Sequence, residues 1–279
     1  MSASAQRADI IVPVFNAAAM LADAFASLLR NLNKDDRVIV IDDASTEAAI
    51  DQVINGFRDR ASFDVRVLRN PENLGFVRTV NRGMAMSERD VVLLNSDTVT
   101  TPGWLDRMLE AAHSDSRIAT VTPFSNNAEI CSYPLFCQNN PPPSEPDAMA
   151  LAFAVGTPVY PDLPTGVGFC MYIRRRALQA IGDFDAATFG RGYGEENDFC
   201  QRASAHGWRN VLCDTAYVVH RGGASFASTG ERPGGEALRR LTARYPGYNA
   251  QIAEYIRADP LASIRDQLRT RLPALEQAR

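Results

Sequence analysis

The sequence predicts an α/β fold, in which a mostly parallel sheet carries helices on both faces and a helical extension follows at the C-terminus. Two observations lead to this prediction. Short continuous apolar runs alternate with stretches of helical period over residues 10–94, and such runs are typical of parallel strands buried on both faces. From about residue 233 onward only helical patterns remain. We therefore expect an α/β domain at residues 1–228 and a helical extension at residues 229–279.

Four short runs are the predicted strands of the first half of the sheet; three are continuous apolar runs, and the third along the chain contains Arg66. They lie, in order, at 10–14, 38–41, 65–68 and 91–94. A helical stretch separates each run from the next, which is the arrangement of parallel strands joined by crossover helices. Polar residues follow the second and fourth runs directly. In sheets of this kind the ligand lies at the carboxyl ends of the strands, so these residues are the first candidates for a functional site.

The second half carries weaker strand patterns near 167–173 and 211–219, with a helix from Glu195 to about His206 between them. Farther along, an apolar stripe recurs at helical spacing: Leu261, Ile264, Leu268, Leu272 and Leu275. We expect this stripe to pack against the chain's own core, although Pro273 interrupts it. The alternatives are a docking face for a partner domain or a second copy in a homo-oligomer, and binding to a membrane surface.

The composition excludes several classes of protein. A chain of 279 residues with 46% hydrophobic residues has room for one large domain with a sizeable core. The formal net charge of −4 argues against nucleic-acid binding, which needs a basic surface. The five cysteines include no C-x-x-C pair, so we expect reduced thiols. With no signal peptide and no apolar run near 18 residues, we predict no transmembrane segment and a cytoplasmic protein, or one at the inner membrane surface.

The first chemical candidate is the triplet Asn95-Ser96-Asp97 at the end of the fourth run. A rigid strand exposes these side chains at its tip, where a carboxylate can hold a divalent cation that bridges two phosphate oxygens. Asp42 and Asp43 repeat the arrangement one strand earlier, where a carboxylate can accept hydrogen bonds from a base or a ribose. For both positions the alternative is a helix N-cap, because a predicted helix follows each of them.

A second candidate is the turn Asn73-Leu74-Gly75-Phe76 before a predicted helix. Asn73 supplies turn chemistry, Gly75 lets the backbone approach a ligand closely, and the helix N-terminus favours an anion. The first turns of this helix carry Arg78 and Asn81. A simple surface turn is the alternative.

The third candidate is the start of the helix at Glu195, which follows a glycine-rich loop at 190–194. Glu196 shares a helix face with apolar residues, so we expect its carboxylate to point inward and to be a candidate general base. Glu195 is expected to complement the helix dipole. Asp198 and Arg202, at i and i+4, are expected to pair on the surface.

One histidine is a candidate metal ligand. His220 follows a strand-like run at 217–219, and a neutral imidazole complements a carboxylate in binding a Mn²⁺-like ion. The alternative is a structural histidine at a strand end, which is the interpretation given to His113 and His206.

The order of these motifs resembles the family 2 glycosyltransferases, which have the Rossmann-like GT-A fold, and within them members that build bacterial polysaccharide, lipopolysaccharide or O-antigen. The resemblance extends from about Asp9 to Phe226. The motifs that carry it are, in order, I-V-P-V-F-N, V-I-D-D-A-S, N-L-G-F, L-L-N-S-D-T, P-G-W-L, G-F-C-M-Y-I-R-R, G-Y-G-E-E-N-D-F and V-x-H-R-G-G-x-S-F. The resemblance implies an enzyme that moves a sugar from a nucleotide diphosphate to an acceptor hydroxyl.

The resemblance also implies a donor site. The residues that would line or close the nucleotide pocket are Pro13, Phe15, Asn16, Asp42, Asp43, Asn73, Gly75, Phe76, Arg78 and Asn81. Asn95, Ser96 and Asp97 occupy the place of the family's D-x-D motif, in which Asp97, together with His220, would hold Mn²⁺ or Mg²⁺. Asn95 departs from this pattern, because an uncharged amide replaces a carboxylate.

Glu196 falls where the family has its catalytic aspartate, and it reaches one methylene farther. The resemblance implies that Glu196 is the base of a single, inverting displacement. Acceptor-side positions are implied at Asn126, Gly192, Tyr193 and Glu195. The implied donor is a UDP- or dTDP-sugar, and the implied acceptor is a glycan or lipid-linked glycan of a bacterial surface.

Two alternatives stay open. A nucleotidyltransferase also uses strand-end carboxylates and a metal, but it needs a basic glycine-rich loop after the first strand, where this chain has Asn16-Ala17-Ala18-Ala19. A catalytically silent sugar-nucleotide-binding domain of a larger assembly protein is favoured by the altered triplet at Asn95. A dinucleotide oxidoreductase is disfavoured, because no G-x-G-x-x-G follows the first strand.

Overall fold

The structure is a computed structural model that describes residues 7–190, 192–222 and 235–277, with the side chains of the last helix described as far as residue 272. The strands are β1 (Ala8–Val14), β2 (Arg37–Asp42), β3 (Asp64–Arg69), β4 (Asp90–Leu94), β5 (Thr98–Val99), β6 (Ile118–Phe124), β7 (Cys170–Ile173), β8 (Arg209–Tyr217) and β9 (Val219–His220). The helices are α1 (Ala18–Asn31), α2 (Ala49–Arg60), α3 (Phe76–Ala85), α4 (Trp104–Ser114), α5 (Pro146–Ala154), α6 (Arg175–Ile181), α7 (Ala186–Phe189), α8 (Glu195–Ala205), α9 (Glu236–Arg244), α10 (Tyr248–Ala258) and α11 (Ala262–Gln277).

A seven-stranded sheet forms the centre of the molecule, in the order β3-β2-β1-β4-β7-β6-β8. β1 lies parallel to β2 and β4, β2 lies parallel to β3, and β6 lies parallel to β8. β7 is antiparallel to both of its neighbours. The predicted α/β class with a mostly parallel sheet is therefore confirmed.

Each face of the sheet carries its own apolar layer, because successive strand residues point to opposite faces. Ile10 and Val12 of β1 lie in one layer with Phe25 of α1. Ile11 of the same strand lies in the other layer with Val80 of α3. Helices thus cover both faces, which is why the central strands are continuous apolar runs rather than alternating ones.

Gly83 lets α3 lie close against the sheet. A Cβ atom at this position would lie 2.5 Å from Cγ2 of Ile11 and 2.9 Å from Cδ1 of Ile41, and both of these side chains are fully buried. A larger residue would push the helix outward. Glycine at position 83 therefore determines how closely α3, which begins at Phe76, approaches β1 and β2.

A separate two-stranded ribbon, β5 with β9, lies beyond the end of β4. Thr98 pairs with His220 and Val99 pairs with Val219. The Arg221 N–H donates to the Asp97 carbonyl oxygen at 3.0 Å, which extends the ribbon by one hydrogen bond. The ribbon therefore holds together two segments from opposite halves of the chain.

The last helix, α11, packs on the α/β core. Leu261 and Leu268 are fully buried, and Ile264 and Leu272 pack against the same apolar cluster. The preferred interpretation of the apolar stripe is thus confirmed as far as residue 272, and the backbone stays helical through Pro273 instead of breaking there. The side chain of Leu275 and the predicted domain boundary at 228/229 lie outside the described residues.

Helices α9 and α10 return to the start of α8, and a buried carboxylate anchors them. Asp198 of α8 has no exposed surface and accepts hydrogen bonds from Arg202 Nε at 2.8 Å, Arg244 Nη1 at 2.7 Å and Tyr245 Oη at 2.9 Å. The expected Asp198–Arg202 pair exists. The expectation that it lies on the surface is wrong, because Arg244 and Tyr245 from the C-terminal extension cover Asp198.

Two further expectations agree with the structure. All five cysteines lie within the described residues, and all five are free thiols. In the parts of the chain that are described, no helix has both the length and the apolar character needed to cross a bilayer. The predicted cytoplasmic location stays a prediction.

Candidate active site

A cavity of about 360 Å³ lies at the carboxyl end of β4, between the β5–β9 ribbon and the start of α8. Seven residues predicted from the sequence meet there. The lining consists of Phe76, Asn95, Asp97, Asn127, Ala128, Glu129, Asn139, Val167, Gly168, Phe169, Tyr193, Glu195, Glu196, His220 and Gly222. We call this cavity the strand-end cavity.

Asp97 and His220 face each other across the ribbon. The pairing of β5 with β9 places His220 Nε2 3.5 Å from Asp97 Oδ1. The other ring nitrogen, Nδ1, lies 2.6 Å from the carbonyl oxygen of Asn127. Because a carbonyl oxygen can only accept, Nδ1 carries a proton, so Nε2 is the ring nitrogen without a proton whenever the imidazole is neutral.

The His220 ring is also held by stacking and by charge. It stacks on Phe169, with ring centroids 5.1 Å apart and planes inclined by 22°. Burial lowers the pKa of His220, but the hydrogen bond and charge of Asp97 and the Asn127 carbonyl outweigh burial, so that the pKa is raised above its usual value. The space between the two side chains thus favours positive charge.

The Asp97–His220 pair fits one side of a divalent cation site. One carboxylate oxygen and one imidazole nitrogen are ligands that Mn²⁺ accepts, and Mg²⁺ is bound through few carboxylates together with phosphate and water oxygens. No cluster of three or more His, Cys, Asp or Glu side chains suited to a metal occurs among the described residues. A cation here would therefore take its other ligands from a bound anion and from water.

The turn that carries Asp97 is fixed by its own backbone. The Asn95 N–H donates to the Phe169 carbonyl oxygen at 2.9 Å, and the Asn95 carbonyl oxygen accepts from Thr98 Oγ1 at 2.7 Å. Asn95 lines the strand-end cavity, whereas Ser96 is buried outside its lining. The alternative role of Asp97 as a helix N-cap is wrong, because α4 begins at Trp104 without a side-chain cap.

Glu196 stands at the start of α8 and lines the strand-end cavity. Glu196 as a whole is half-buried, but its Oε2 atom is enclosed and has no hydrogen-bond partner among the described residues. The helix begins here because Gly194, at φ 94°, adopts the left-handed conformation at the N-cap. The expected inward orientation of Glu196 agrees with this placement.

The surroundings of Glu196 adjust its acidity. Burial raises the pKa of Glu196 to about 7, and the negative charge of Glu129 adds to the rise. Hydrogen bonds from the first turn of α8 and from Glu195 oppose this effect. A carboxylate with a pKa near 7 accepts a proton more readily than an ordinary glutamate, and about half of the molecules carry it in the ionised form at neutral pH.

The acceptor-side residues divide into two groups. Tyr193 and Glu195 line the strand-end cavity, and Glu195 is only 4% exposed, so it lies deeper than a simple dipole partner would. Gly192 does not line the cavity. Its N–H donates to the Phe189 carbonyl oxygen, and its φ of 145° requires glycine. Glu129, which the motifs did not indicate, lines the cavity from a short 3₁₀ turn and has a positive φ of 46°.

Asn126 does not reach the cavity with its amide. Its Nδ2 donates to the carbonyl oxygens of Asn140 at 3.0 Å and His220 at 2.9 Å, and its Oδ1 accepts from the His220 N–H at 2.9 Å. The acceptor contact expected for Asn126 is therefore replaced by a structural one. The buried amide holds the end of β9 in place.

Asp42 and Asp43 are both buried and both bonded within the chain. Asp42 accepts from the Ser45 N–H at 2.9 Å and pairs with Arg69 at 3.0 Å. Asp43 accepts from Asn70 Nδ2 at 2.7 Å and from the Leu74 and Gly75 N–H groups at 2.8 and 2.9 Å. Neither caps α2, which begins after Ala48 without a side-chain cap. Their predicted nucleotide contact stays a prediction.

The segment after β1 forms a connected loop with the segment after β2. Asn16 Oδ1 accepts from the Thr46 and Glu47 N–H groups at 2.8 and 3.0 Å, and the Asn16 N–H donates to Ser45 Oγ at 2.9 Å. Pro13 and Phe15 are half-buried beside this loop. These residues lie at the carboxyl ends of β1 and β2, outside the lining of the strand-end cavity.

The 73–76 turn is organised by Asp43. Gly75, at φ 81°, forms the N-cap of α3 and lets the two backbone N–H groups before the helix converge on the Asp43 carboxylate. Phe76 then lines the strand-end cavity, and Asn73 is half-buried in the turn. The simple surface turn considered from the sequence is thus wrong, because buried hydrogen bonds hold this one.

Arg78 and Asn81 do not line the strand-end cavity. Arg78 is exposed on α3. Asn81 Nδ2 donates to the Phe184 carbonyl oxygen at 2.8 Å, and its Oδ1 accepts from the Phe184 N–H at 3.2 Å. Both polar atoms of the Asn81 amide therefore attach α3 to the segment before α7. This attachment replaces the contact with the donor that was expected for Asn81.

A second cavity of about 490 Å³ lies between the start of α8 and the helices α9 and α10. Glu129, Tyr193 and Glu196 line this cavity as well as the strand-end cavity. The two cavities therefore adjoin at these three residues, and Glu196 stands at their junction. We call the second one the helical cavity.

The chain resembles known proteins in sequence and in fold. It is 26% identical, over 235 residues that cover 75% of this chain and 73% of the relative, to an N-acetylglucosaminyl-diphospho-decaprenol L-rhamnosyltransferase of Mycobacterium tuberculosis. It superposes with 97% of its length on GalNAc-T7, solved with UDP, GalNAc and Mn²⁺ (TM-score 0.65, 11% identity), and spans 55% of that chain. It also superposes with 98% of its length on Staphylococcus aureus TarS residues 1–349, solved with UDP-GlcNAc (TM-score 0.58, 14% identity, 92% of that chain).

A third similar structure is the mannosyltransferase PcManGT of Pyrobaculum calidifontis, solved with GDP-Man and Mn²⁺; 98% of this chain aligns with 76% of it (TM-score 0.57, 14% identity). These structural similarities establish the GT-A fold. The sequence model of the family described as glycosyl transferase family 2 matches residues 9–182. That match covers more than half of the chain, so the chain belongs to glycosyl transferase family 2 and is a glycosyltransferase.

Proposed function

We propose that this glycosyltransferase moves a sugar from a nucleotide-diphosphate donor to a hydroxyl group of a glycan acceptor, with inversion at the anomeric carbon. One observation carries the proposal. Glu196, whose Oε2 is enclosed, and the Asp97–His220 pair line the same cavity. A proton acceptor and a site for negative charge thus flank one space, as a single displacement requires.

The donor would lie at the carboxyl ends of the first four strands. The structural relatives solved with UDP, with GDP-Man and with UDP-GlcNAc support a nucleotide-sugar donor. In this chain the linked loops after β1 and β2, with Asn16 and Asp43 at their centre, would receive the nucleoside. Phe76 and Asn95 would face the sugar diphosphate in the strand-end cavity. A UDP- or dTDP-sugar is the donor we propose.

Asp97 and His220 would hold a divalent cation, Mn²⁺ or Mg²⁺. When bound, such a cation stabilises negative charge on a departing diphosphate by acting as a Lewis acid. The hydrogen bond from His220 Nδ1 to the Asn127 carbonyl supports this role, because it selects the ring form in which Nε2 is a ligand. Two structural relatives that contain Mn²⁺ give further support.

Glu196 would act as the base. It removes the proton from an acceptor hydroxyl group while the hydroxyl oxygen forms a bond to the anomeric carbon. The bond from that carbon to the diphosphate oxygen breaks at the same time, and the negative charge leaves with the nucleoside diphosphate. One displacement at one carbon inverts its configuration. The acceptor would be a sugar hydroxyl of a growing bacterial glycan, in line with the rhamnosyltransferase relative.

The test is release of nucleoside diphosphate from a panel of UDP-, dTDP- and GDP-sugars with Mn²⁺, with and without glycan acceptors. We expect turnover of one donor by the wild-type chain, with loss in both Asp97→Ala and Glu196→Gln. The exposed Glu72 provides the matched control, and Glu72→Gln should behave as wild type. Tight donor binding without turnover on any acceptor would overturn the proposal and identify a silent binding domain.

A further inference from the structure

The helical cavity adjoins the catalytic carboxylate but is built by a different part of the chain. Glu196 and Asn197 line it from α8, and Leu238, Leu241 and Ile252 line it from α9 and α10. The C-terminal helices thus contribute much of the lining around Glu196. A group bound there would lie beside the proposed base, in a cavity whose lining does not include Asp97 or His220.

The two ends of the helical cavity differ in chemistry. At the α8 end lie the carboxylates of Glu129 and Glu196 and the side chain of Asn197, whose Oδ1 accepts from Tyr248 Oη at 2.8 Å. Carboxylates and amides recognise sugar hydroxyl groups through hydrogen bonds. Along α9 and α10 the lining is mostly aliphatic, with Tyr248 and Asn249 as its polar members, and it includes Ile256, which is 40% exposed.

The charge of the helical cavity limits what it can hold. Two glutamates line it, and no Lys or Arg side chain does so among the described residues. A phosphate or diphosphate group placed between these carboxylates would meet like charge without a cation to compensate it. The strand-end cavity differs in having the Asp97–His220 pair, which would hold a compensating cation. The nucleotide part of the donor is therefore better suited to that cavity, and the helical cavity favours an uncharged occupant.

We propose that the helical cavity is the acceptor subsite and that it takes an uncharged glycoside with an apolar substituent. The sugar hydroxyl groups lie at the Glu129 and Glu196 end, and the apolar substituent lies along Leu238, Ile252 and Ile256. This inference rests on the proposed function, because the role of Glu196 as base determines which end receives the reacting hydroxyl. It assigns to the C-terminal helices the choice of acceptor.

The first measurement compares two probes by titration calorimetry on the full chain. The probes are n-octyl β-D-glucopyranoside, kept below its micelle concentration, and methyl β-D-glucopyranoside. We expect the octyl glycoside to bind at least about tenfold more tightly, because each methylene group that leaves water contributes to affinity. Equal affinity of the two probes would overturn the proposal.

Variants then locate the bound probe. Ala253 is an exposed residue of α10 that lines the helical cavity, so Ala253→Trp should fill it and abolish the preference for the octyl glycoside. Ile256→Ser should reduce that preference severalfold. Two matched controls should keep it: Ala258→Trp, on the same helix outside the lining, and Val155→Ser, at an apolar residue that is 69% exposed elsewhere. An octyl preference that survives Ala253→Trp would place the probe outside the cavity and overturn the proposal.

The binding assay separates this inference from the proposed function, because it requires no donor and no turnover. Wild-type chain that turns over no sugar nucleotide, yet prefers the octyl glycoside in a manner that Ala253→Trp removes, would contradict the catalytic proposal and support the cavity assignment. Donor turnover without any preference for the octyl glycoside would support the catalytic proposal and contradict the assignment of the helical cavity.

Discussion

The side chain of Asn126 holds the backbone of His220 at both of its polar groups. Asn126 Oδ1 accepts from the His220 N–H, and Asn126 Nδ2 donates to the His220 carbonyl oxygen, each at 2.9 Å. The backbone of the next residue, Asn127, accepts from the ring of the same histidine. One loop therefore determines both the position and the protonated nitrogen of the proposed metal ligand.

Asn126→Ala should raise the Mn²⁺ concentration needed for half-maximal donor turnover by roughly tenfold, because residues that orient a ligand contribute that much to metal affinity. Activity titrations with Mn²⁺ measure this effect. The exposed Gln138, from the same region, is the matched control, and Gln138→Ala should leave the requirement unchanged. An unchanged Mn²⁺ requirement in Asn126→Ala would show that the loop does not position His220.

Asn95→Asp should have the opposite effect. A carboxylate at this position adds a negative charge to the lining of the strand-end cavity, near Asp97. We expect the half-maximal Mn²⁺ concentration to fall roughly tenfold, since ligand charge sets the affinity of such sites. Asn55→Asp, on the exposed face of α2, adds the same charge far from the cavity and serves as the control. Equal shifts in the two variants would mean that only net charge matters.

Glu196 should govern the pH dependence of transfer. With its pKa raised to about 7, kcat/KM should fall about tenfold per pH unit below that value, because the protonated carboxyl group cannot accept the acceptor proton. Glu196→Gln should lower kcat by about 10³-fold and abolish this dependence. Glu196→Asp should retain part of the activity. A pH profile that stays the same in Glu196→Gln would assign the base to another group.

The same carboxylate should make folding stability depend on pH. The pKa of Glu196 is raised from 4.5 to about 7, so between these values the unfolded chain ionises while the native state keeps the proton. Stability is therefore lost as pH rises through this window. Relative to wild type, Glu196→Gln should gain about 1–3 kcal/mol between pH 5 and pH 8. Urea midpoints at both pH values test this, and Glu72→Gln should show no such gain.

Asp198→Asn should destabilise the protein strongly. The buried carboxylate lies between Arg202 and Arg244, and its removal leaves both cations short of a partner. The expected cost is about 3–5 kcal/mol, measured by urea unfolding. Asp266→Asn, which breaks the exposed pair with Arg269, should cost less than about 1 kcal/mol. A similar small cost for both variants would contradict the anchoring role.

The first half of the fold could be predicted because its signals are local. Each buried strand is a continuous apolar run, and the helices between them repeat at 3.6 residues, so both classes of element are visible in one sequence. The direction of β7 was not predictable, because the residues of a short buried strand are the same whichever way it runs. The ribbon was missed because two-residue strands have no period.

The site was predicted where a motif marks it and missed where only folding creates it. Asp97, Glu196 and His220 stand in recognisable segments, and they do border one cavity. Glu129 lies in no motif, and it joins the site only because the 3₁₀ turn brings it there. Asn81 is polar on a helix near the expected site, but its amide is used by Phe184, a contact that no local pattern contains.

The pairing of β6 with β8 limits how far this enzyme can be truncated from its C-terminal end. The family match ends at residue 182, whereas Glu196, β8 and His220 all come later. A fragment that stops at the family boundary would leave β6 as an unprotected sheet edge, with free N–H and C=O groups that invite aggregation. It would also lack the proposed base and one proposed metal ligand. The smallest autonomous unit therefore extends well past the segment by which the family is defined.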